Sequence, residues 1–197
     1  SLQEHLAPLD LVIPDQLIDR TCRRQSTFFG DGIVAHVPFA EPFCPDLVKL
    51  LHEAAVPVVD RVHLGGTQVT IEGPAFSTRA ESKLYRKWGC DIIGMTTIHE
   101  AKLAREAEIC YAALAMVTDY DCWKEHSADE VTVETVVANM KKNIAKAKTV
   151  ITNVLPRIAR KRSCTCTDSL NGAIMTAAGS IRPETRERLA LLINGRV

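Results

Sequence analysis

Two aspartates at alternate positions directly follow an apolar run, and they are the side chains of this sequence best placed to do chemistry. The run from Ile109 to Val117 stops at Thr118, and Asp119 and Asp121 come next. In α/β proteins, ligands collect in the crevice beyond the carboxyl ends of strands, where carboxylates can accept hydrogen bonds or transfer a proton. The local sequence leaves a simple turn open as the alternative, because Asp is common in turns.

A second apolar stretch also ends in hydroxyl side chains. Asp91 to Met95 is followed by Thr96 and Thr97, and a helical segment separates this stretch from the aspartates. Two strands with one helix between them are expected to form a βαβ unit with a right-handed crossover, so that their ends lie side by side. The sequence therefore predicts that Thr96, Asp119 and Asp121 converge on one crevice.

The elements that must position these residues alternate between strands and helices along the chain. Helical periodicity and capping residues predict helices over Leu47–Ala55, Thr78–Trp88, His99–Ala107, about Thr132–Leu155, and from Pro183 to near Ile193. Apolar and β-branched runs predict further strands at Leu9–Ile18, Ile33–Val37 and Val62–Ile71. This alternation predicts an α/β fold with a mixed central β-sheet flanked by helices.

Composition excludes several classes of function. The 197 residues are 46% hydrophobic, which is enough for one substantial core, so we expect a single domain over residues 1–197. Lys plus Arg and Asp plus Glu are equal at 24 each, which argues against a nucleic-acid partner. The longest apolar run is far shorter than the roughly 20 residues of a membrane span. The sequence also has no Gly-rich phosphate loop and no Gly-x-Ser-x-Gly motif, so it predicts neither a nucleotide cofactor nor a serine hydrolase.

Seven cysteines are present, and most of them are scattered singly, as in proteins of a reducing cytoplasm. The exception is the Cys164-Thr165-Cys166 sequence, which could bind a soft metal or form a strained disulfide. One pair supplies only half the ligands of a structural zinc site. The sequence therefore favours no metal site and no functional role for this pair, with metal binding or redox chemistry as the alternative.

Several long motifs, in the same order along the chain, resemble one enzyme family. The family is that of the S-methyl-5′-thioadenosine phosphorylases, within the trimeric purine nucleoside phosphorylase superfamily. The motifs are Asp15–Thr21, Ala40–Pro45, Thr70–Ser82, Gly94–Thr97, Glu100-Ala101 and Ala115–Trp123. The resemblance runs from Ser1 to about Leu155. It implies a phosphorylase-type mixed sheet and a reaction in which phosphate attacks the anomeric carbon of a ribose while adenine leaves.

The resemblance assigns the two aspartates to the purine base. It implies that Asp119 protonates or hydrogen-bonds N7 of adenine as the catalytic acid, and that Asp121 accepts a hydrogen bond from the exocyclic amine. An ionised carboxylate can accept from an amino group but has nothing to donate to a 6-oxo group, so the pair favours adenine over hypoxanthine. In the 6-oxopurine branch of the superfamily, an Asn stands where Asp119 does.

The remaining site residues are also implied by the resemblance. Phe76 stacks on the purine, although the local sequence by itself favours a hydrophobic staple at the entry of a helix. His36 reaches the site of a neighbouring subunit of a homotrimer, although a lone His is more often structural. The other implied roles are Met95 against the ribose, Thr96 as a donor to phosphate, Thr118 in the base site, and Val133, Val136 and Val137 as the wall around the 5′-methylthio group.

The implied activity is phosphorolysis of S-methyl-5′-thioadenosine to adenine and 5-methylthioribose 1-phosphate, in purine and methionine salvage. Inorganic phosphate is a co-substrate, and no cofactor or metal is expected. Family members usually begin with a Gly-rich strand and turn that contact phosphate. We expect this chain to be one piece of a longer polypeptide, either cleaved, with this part on a separate N-terminal fragment, or presented without it. The alternatives are a phosphorylase that also accepts adenosine and a non-catalytic subunit that binds adenine nucleosides.

Overall fold

The centre of the fold is a pair of bent parallel strands. The computed structural model describes residues 1–124, 133–159 and 161–197. Strands β1 (Leu11–Ile13) and β2 (Gln16–Arg20) are separated by a break, as are β3 (Val62–Leu64) and β4 (Thr67–Ile71). β1 pairs with β3 and β2 pairs with β4, both in parallel.

The break has a local cause in both strands. Pro14 lacks a backbone N–H, and Gly65 and Gly66 take φ values of +88° and +114°, which L-residues with side chains rarely adopt. Across the break, the Gly65 N–H donates to the Ile13 carbonyl at 2.9 Å and the Asp15 N–H donates to the Gly66 carbonyl at 3.1 Å. These bonds connect the two three-stranded sheets of the fold, which belongs to the α/β class that the sequence predicts.

Helices flank the sheets. Their bounds lie close to the predicted ones, except that the predicted helix from Pro183 to near Ile193 is divided at Leu189 into two short helices. They are α1 (Pro45–Ala55), α2 (Arg79–Lys87), α3 (Thr97–Glu106), α4 (Val133–Val154), α5 (Pro183–Arg188) and α6 (Ala190–Ile193), with short 3-10 helices at Leu155–Arg157, Thr165–Asp168 and Ala178–Ser180. Alternate residues of β1 are buried in two different clusters. Leu11 and Ile13 contact α1 and the end of α4, whereas Val12 packs with Ile92 and Val117.

The sequence predicts that the strand before Thr96 and the strand before Thr118 form a parallel βαβ unit, and this prediction is wrong. Strand β5 (Ile92–Gly94) does pair in parallel with β4, but β6 (Ala115–Met116) pairs antiparallel with β1. The reason is that Val117 exchanges backbone hydrogen bonds with Leu9 and Asp10, which fixes β6 on the edge of β1. The strand at Ile33–Val37 is also wrong, because only a single bridge between Ala35 and Ile174 forms there.

The long helix α4 presents much of its apolar stripe to solvent. Asn143, Val150 and Val154 are its buried residues among those described, and the two valines pack against β1 and α1. The exposed apolar side chains on the same helix are Val137, Met140, Ile144 and Ile151, and Leu155 continues them. Among the described residues, every helix is too short or too polar to pass through a lipid bilayer.

Candidate active site

A pocket of about 410 Å³ opens where β5 and β6 end. Although the two strands are not partners in a parallel unit, both of their ends line it, so Thr96, Asp119 and Asp121 do lie around one cavity. Phe76, Met95 and Thr118 line it too. The remaining lining residues are Ser1, Gln68, Ile71, Ser77, Ile92, Ile93, Gly94, Thr97, Leu114, Ala115, Met116 and Val117.

Helix α4 holds the segment that leads to the aspartates. The amide nitrogen of Asn143 donates to the Val117 carbonyl, and that of Asn139 donates to the Thr118 carbonyl, both at 2.9 Å. The Thr118 hydroxyl in turn donates to Oδ2 of Asp119 at 2.6 Å. This chain of hydrogen bonds fixes one oxygen of the Asp119 carboxylate and orients the other.

Two polar atoms of the pocket residues are buried without a hydrogen-bond partner in the part of the chain that the structure describes. They are Oδ2 of Asp121 and the hydroxyl oxygen of Ser77. A buried carboxylate oxygen that lacks a donor costs free energy, and a bound ligand with an N–H group removes that cost. Asp121 therefore offers an acceptor for a ligand.

Phe76 is an aromatic ring that remains 86% exposed beside the pocket. It precedes α2, whose N-cap Thr78 forms a capping box with Glu81, as the sequence predicts. A hydrophobic staple buries its apolar side chain against the first turn of the helix. The exposure of Phe76 rules out that interpretation and leaves the face of the ring free for a planar ligand.

Met95 and Thr96 lie at the end of β5. Gly73 packs closely against the Met95 side chain, and Arg24 holds the neighbouring backbone by hydrogen bonds. A Cβ on Gly73 would lie 2.8 Å from the Met95 sulfur, so a larger residue would displace the Met95 side chain. The Arg24 guanidinium donates to the carbonyls of Met95 and Glu72. Gln68 donates to the Thr97 hydroxyl at 2.8 Å, next to Thr96.

Three of the predicted site residues, Val136, Val137 and His36, do not line the pocket as the described residues define it. Val136 is half-buried and Val137 is 37% exposed, both on α4. Val133 begins α4, but its side chain lies outside the described residues. His36 is exposed, and its backbone N–H donates to the Ala173 carbonyl at 2.8 Å.

Three residues near the site were not singled out in the sequence. Gln68 and Ser77 line the pocket, and Arg24 holds the backbone beside it. Ser77 lies inside the Thr70–Ser82 motif and directly follows Phe76, so the sequence could have indicated that it lines the same pocket. Arg24 lies in a charged loop far from these strands in sequence, and nothing in the local pattern links it to Met95.

Comparison with known proteins places this geometry in context. The family model described as "Phosphorylase superfamily" matches residues 1–156. The chain is 54% identical over 198 residues to the S-methyl-5′-thioadenosine phosphorylase of Geobacter sulfurreducens, an alignment that covers 100% of this chain and 69% of the relative. It is 52% identical over 199 residues to the enzyme of the same name from Thermosynechococcus vestitus, covering 98% of this chain and 68% of the relative.

Solved structures give the same picture. A methylthioadenosine phosphorylase from an antarctic soil metagenomic library superposes with a TM-score of 0.90 at 48% identity, covering 98% of this chain and 68% of that one. A methylthioadenosine phosphorylase from Schistosoma mansoni in complex with adenine has a TM-score of 0.76 at 32% identity and the same coverage. The chain thus spans about two thirds of the length of these relatives.

Proposed function

Because the chain belongs to the phosphorylase superfamily, we propose that it acts as a pentosyltransferase on S-methyl-5′-thioadenosine, releasing adenine and 5-methylthioribose 1-phosphate. The relatives that carry the name S-methyl-5′-thioadenosine phosphorylase support this substrate. The observation that carries the proposal is the buried Oδ2 of Asp121, which has no hydrogen-bond partner among the described residues and lies in the same pocket as Asp119. Two carboxylates at one end of a pocket, with an exposed ring beside it, suit a purine that carries an amino group.

Each group of the pocket has a defined task in this reaction. Asp121 accepts from the exocyclic amine of adenine, and Asp119 protonates or hydrogen-bonds N7 as the bond to the sugar breaks. The transition state of such a cleavage resembles an oxocarbenium ion, with electrons moving into the departing base. A general acid at N7 therefore acts on the group where negative charge develops, a contribution typically worth about 10² to 10⁴ in rate.

The other pocket residues position the base, the sugar and the phosphate. We assign the exposed Phe76 ring to stacking on the purine and Thr118 to lining the base site. Met95 contacts the ribose, and the Thr96 hydroxyl donates to phosphate. Val133, Val136 and Val137 at the start of α4 are proposed as the apolar wall for the 5′-methylthio group.

The proposed assembly is a homotrimer in which His36 enters the site of the neighbouring subunit. Two features support it: His36 is exposed rather than turned into its own core, and α4 carries a stripe of exposed apolar side chains from Val137 to Leu155. Contiguous exposed apolar surface is typical of contacts between proteins. The seven cysteines are free thiols, which suits the cytoplasm as the proposed compartment.

The test is release of adenine from S-methyl-5′-thioadenosine by the purified chain together with the N-terminal part of its polypeptide, with and without inorganic phosphate. We expect release that depends on phosphate, and 5-methylthioribose 1-phosphate as the second product. Adenine binding measured by calorimetry is the companion experiment. If adenine binds but phosphate supports no release, the chain is a binding subunit and the proposed reaction is wrong.

A further inference from the structure

Four cysteines from three separate parts of the chain meet at one point outside the pocket. Cys44, Cys110, Cys164 and Cys166 have sulfur atoms that all lie within 4.8 Å of one another. The Sγ atoms of Cys110 and Cys164 are 3.4 Å apart. A disulfide bond is close to 2.05 Å long, so the four side chains are free thiols in this arrangement.

We propose that these four cysteines form a structural binding site for one zinc ion. Four sulfurs, each about 2.3 Å from a central zinc, are about 3.8 Å from one another in a tetrahedron. The observed sulfur–sulfur distances, none longer than 4.8 Å, exceed that value by at most about 1 Å. Closed sets of four cysteines are a common form of structural zinc site.

The surroundings favour a bound cation over four neutral thiols. Cys44 and Cys166 are 1% and 4% exposed, so two of the four sulfur atoms belong to buried side chains. Buried thiols of this kind make only weak hydrogen bonds to one another, whereas a metal ion binds the deprotonated form strongly. Cys44 is also the N-cap residue of the 11-residue helix α1, where the helix dipole stabilises a thiolate.

The backbone around the cluster is already fixed by hydrogen bonds. The Cys44 N–H donates to the Tyr111 carbonyl at 2.8 Å, which joins the start of α1 to the segment that carries Cys110. The Ser163 hydroxyl donates to Asp46 at 2.7 Å, and this bond brings the segment that carries Cys164 to the same helix end. A preformed arrangement of this kind lowers the ordering cost of binding a metal ion.

The site would join the C-terminal segment to the rest of the protein. Cys164 and Cys166 lie beyond residue 156, where the match to the superfamily ends, whereas Cys44 and Cys110 lie within it. The C-terminal segment packs against the part of the chain that carries His36. Its buried cluster consists of Phe29, Ile33, Leu170, Ala173, Ile181, Leu189 and Ile193. Zinc at the four cysteines thus stabilises the C-terminal segment and, through it, the surroundings of His36.

Metal content is the first experiment. The chain is purified with a thiol reductant and without chelators, and its zinc content is measured by inductively coupled plasma mass spectrometry. We expect about one zinc per chain in the wild type and in Cys22→Ser, a matched control because Cys22 is an exposed thiol outside the cluster. Cys166→Ser and Cys110→Ser are expected to lose most of the metal.

Cobalt substitution on the wild-type chain keeps the proposal testable if the buried Cys166→Ser variant fails to fold. The demetallated, reduced chain is titrated with Co²⁺, and tetrathiolate coordination gives thiolate-to-cobalt charge-transfer bands together with intense visible bands. Saturation at one equivalent supports the site. If the spectrum does not change and the chain does not retain added Zn²⁺, the proposal is wrong. It is also wrong if the intact mass of freshly purified protein, measured without reductant, shows disulfides among these cysteines.

Proteolysis tests the structural role separately. Removal of zinc is expected to increase tryptic cleavage after Arg162, two residues before Cys164, and re-addition is expected to restore protection. A metal-bound chain whose cleavage rate there does not change on demetallation contradicts the stabilising role.

Discussion

At the scale of single residues, the sequence identified the groups but not their environment. Asp119 and Asp121 directly follow an apolar run, and this pattern was enough to predict that they lie just beyond the end of a strand. Oδ2 of Asp121 is buried and has no hydrogen-bond partner within the described ranges, and this depends on how the neighbouring segments fold over it. Similarly, the local sequence favoured a staple for Phe76, and only the 86% exposure of its ring excludes that role.

Replacement of Asp119 by Asn tests the proposed general acid. An amide cannot deliver a proton to N7, so we expect kcat for S-methyl-5′-thioadenosine to fall by about 10² to 10⁴, with a smaller change in KM. An amide can bond to a 6-oxopurine, so activity toward the 6-oxo analogue is expected to fall less or to rise. Steady-state kinetics on both substrates measure this, and an equal loss on both would contradict a role at the base.

Replacement of Phe76 tests the proposed stacking surface. Because the ring is exposed, Phe76→Ala should leave the free energy of unfolding within about 0.5 kcal/mol of wild type. Loss of stacking on a base typically costs about 1 to 3 kcal/mol, so adenine affinity is expected to weaken by roughly tenfold or more. Calorimetric titration with adenine measures the affinity. Phe76→Tyr is the matched control and should bind adenine nearly as well as wild type.

At the scale of elements, helix bounds were more predictable than strand pairing. The start of α2 follows from Thr78 and Glu81, because a capping box is encoded in four consecutive residues. The pairing of β6 with β1 follows from hydrogen bonds between Val117 and residues more than 100 positions away, so a local pattern could not reveal it. The predicted crossover was wrong for this reason, although both strand ends still reach the same pocket.

The capping box of α2 makes a prediction about stability. Thr78 accepts from the Glu81 N–H at 3.2 Å, and its own N–H donates to the Glu81 carboxylate at 2.8 Å. Thr78→Ala removes the cap and should lower the free energy of unfolding by about 1 kcal/mol. Thr149→Ala is the control, because Thr149 is exposed inside α4 and its hydroxyl bonds the Ala145 carbonyl. Urea denaturation should show a loss for Thr78→Ala and little change for Thr149→Ala; equal losses would contradict the capping role.

At the scale of the whole molecule, the chain brings together residues that its sequence keeps far apart. The pair Cys164 and Cys166 supplies only two ligands, and the folded chain adds Cys44 and Cys110 to make four. The same holds for the C-terminal cluster around Ile193, which contacts the segment before His36. No pattern within a short window contains either association, because each depends on the path of the chain around the sheet.

The proposed trimer makes a prediction that a single subunit cannot satisfy. If His36 completes the site of a neighbouring subunit, Asp119→Asn inactivates the site of the subunit that carries it. His36→Ala instead inactivates the site of the neighbour. In a cyclic trimer, a mixed assembly then contains sites with an intact pocket and an intact neighbouring His36. Each mixed trimer has one such site out of three, so we expect the mixed assemblies to recover about a third of the wild-type activity.

Co-expression of the two variants with different affinity tags, followed by tandem purification, gives the mixed assemblies for assay. The control is co-expression of Asp119→Asn with Asp121→Ala, because both changes lie in the same pocket and no mixed site is intact. Recovery for the first pair but not the second requires that His36 acts across a subunit boundary. If neither mixed assembly is more active than the sum of its two variants assayed separately, His36 acts within its own subunit or has no role at the site.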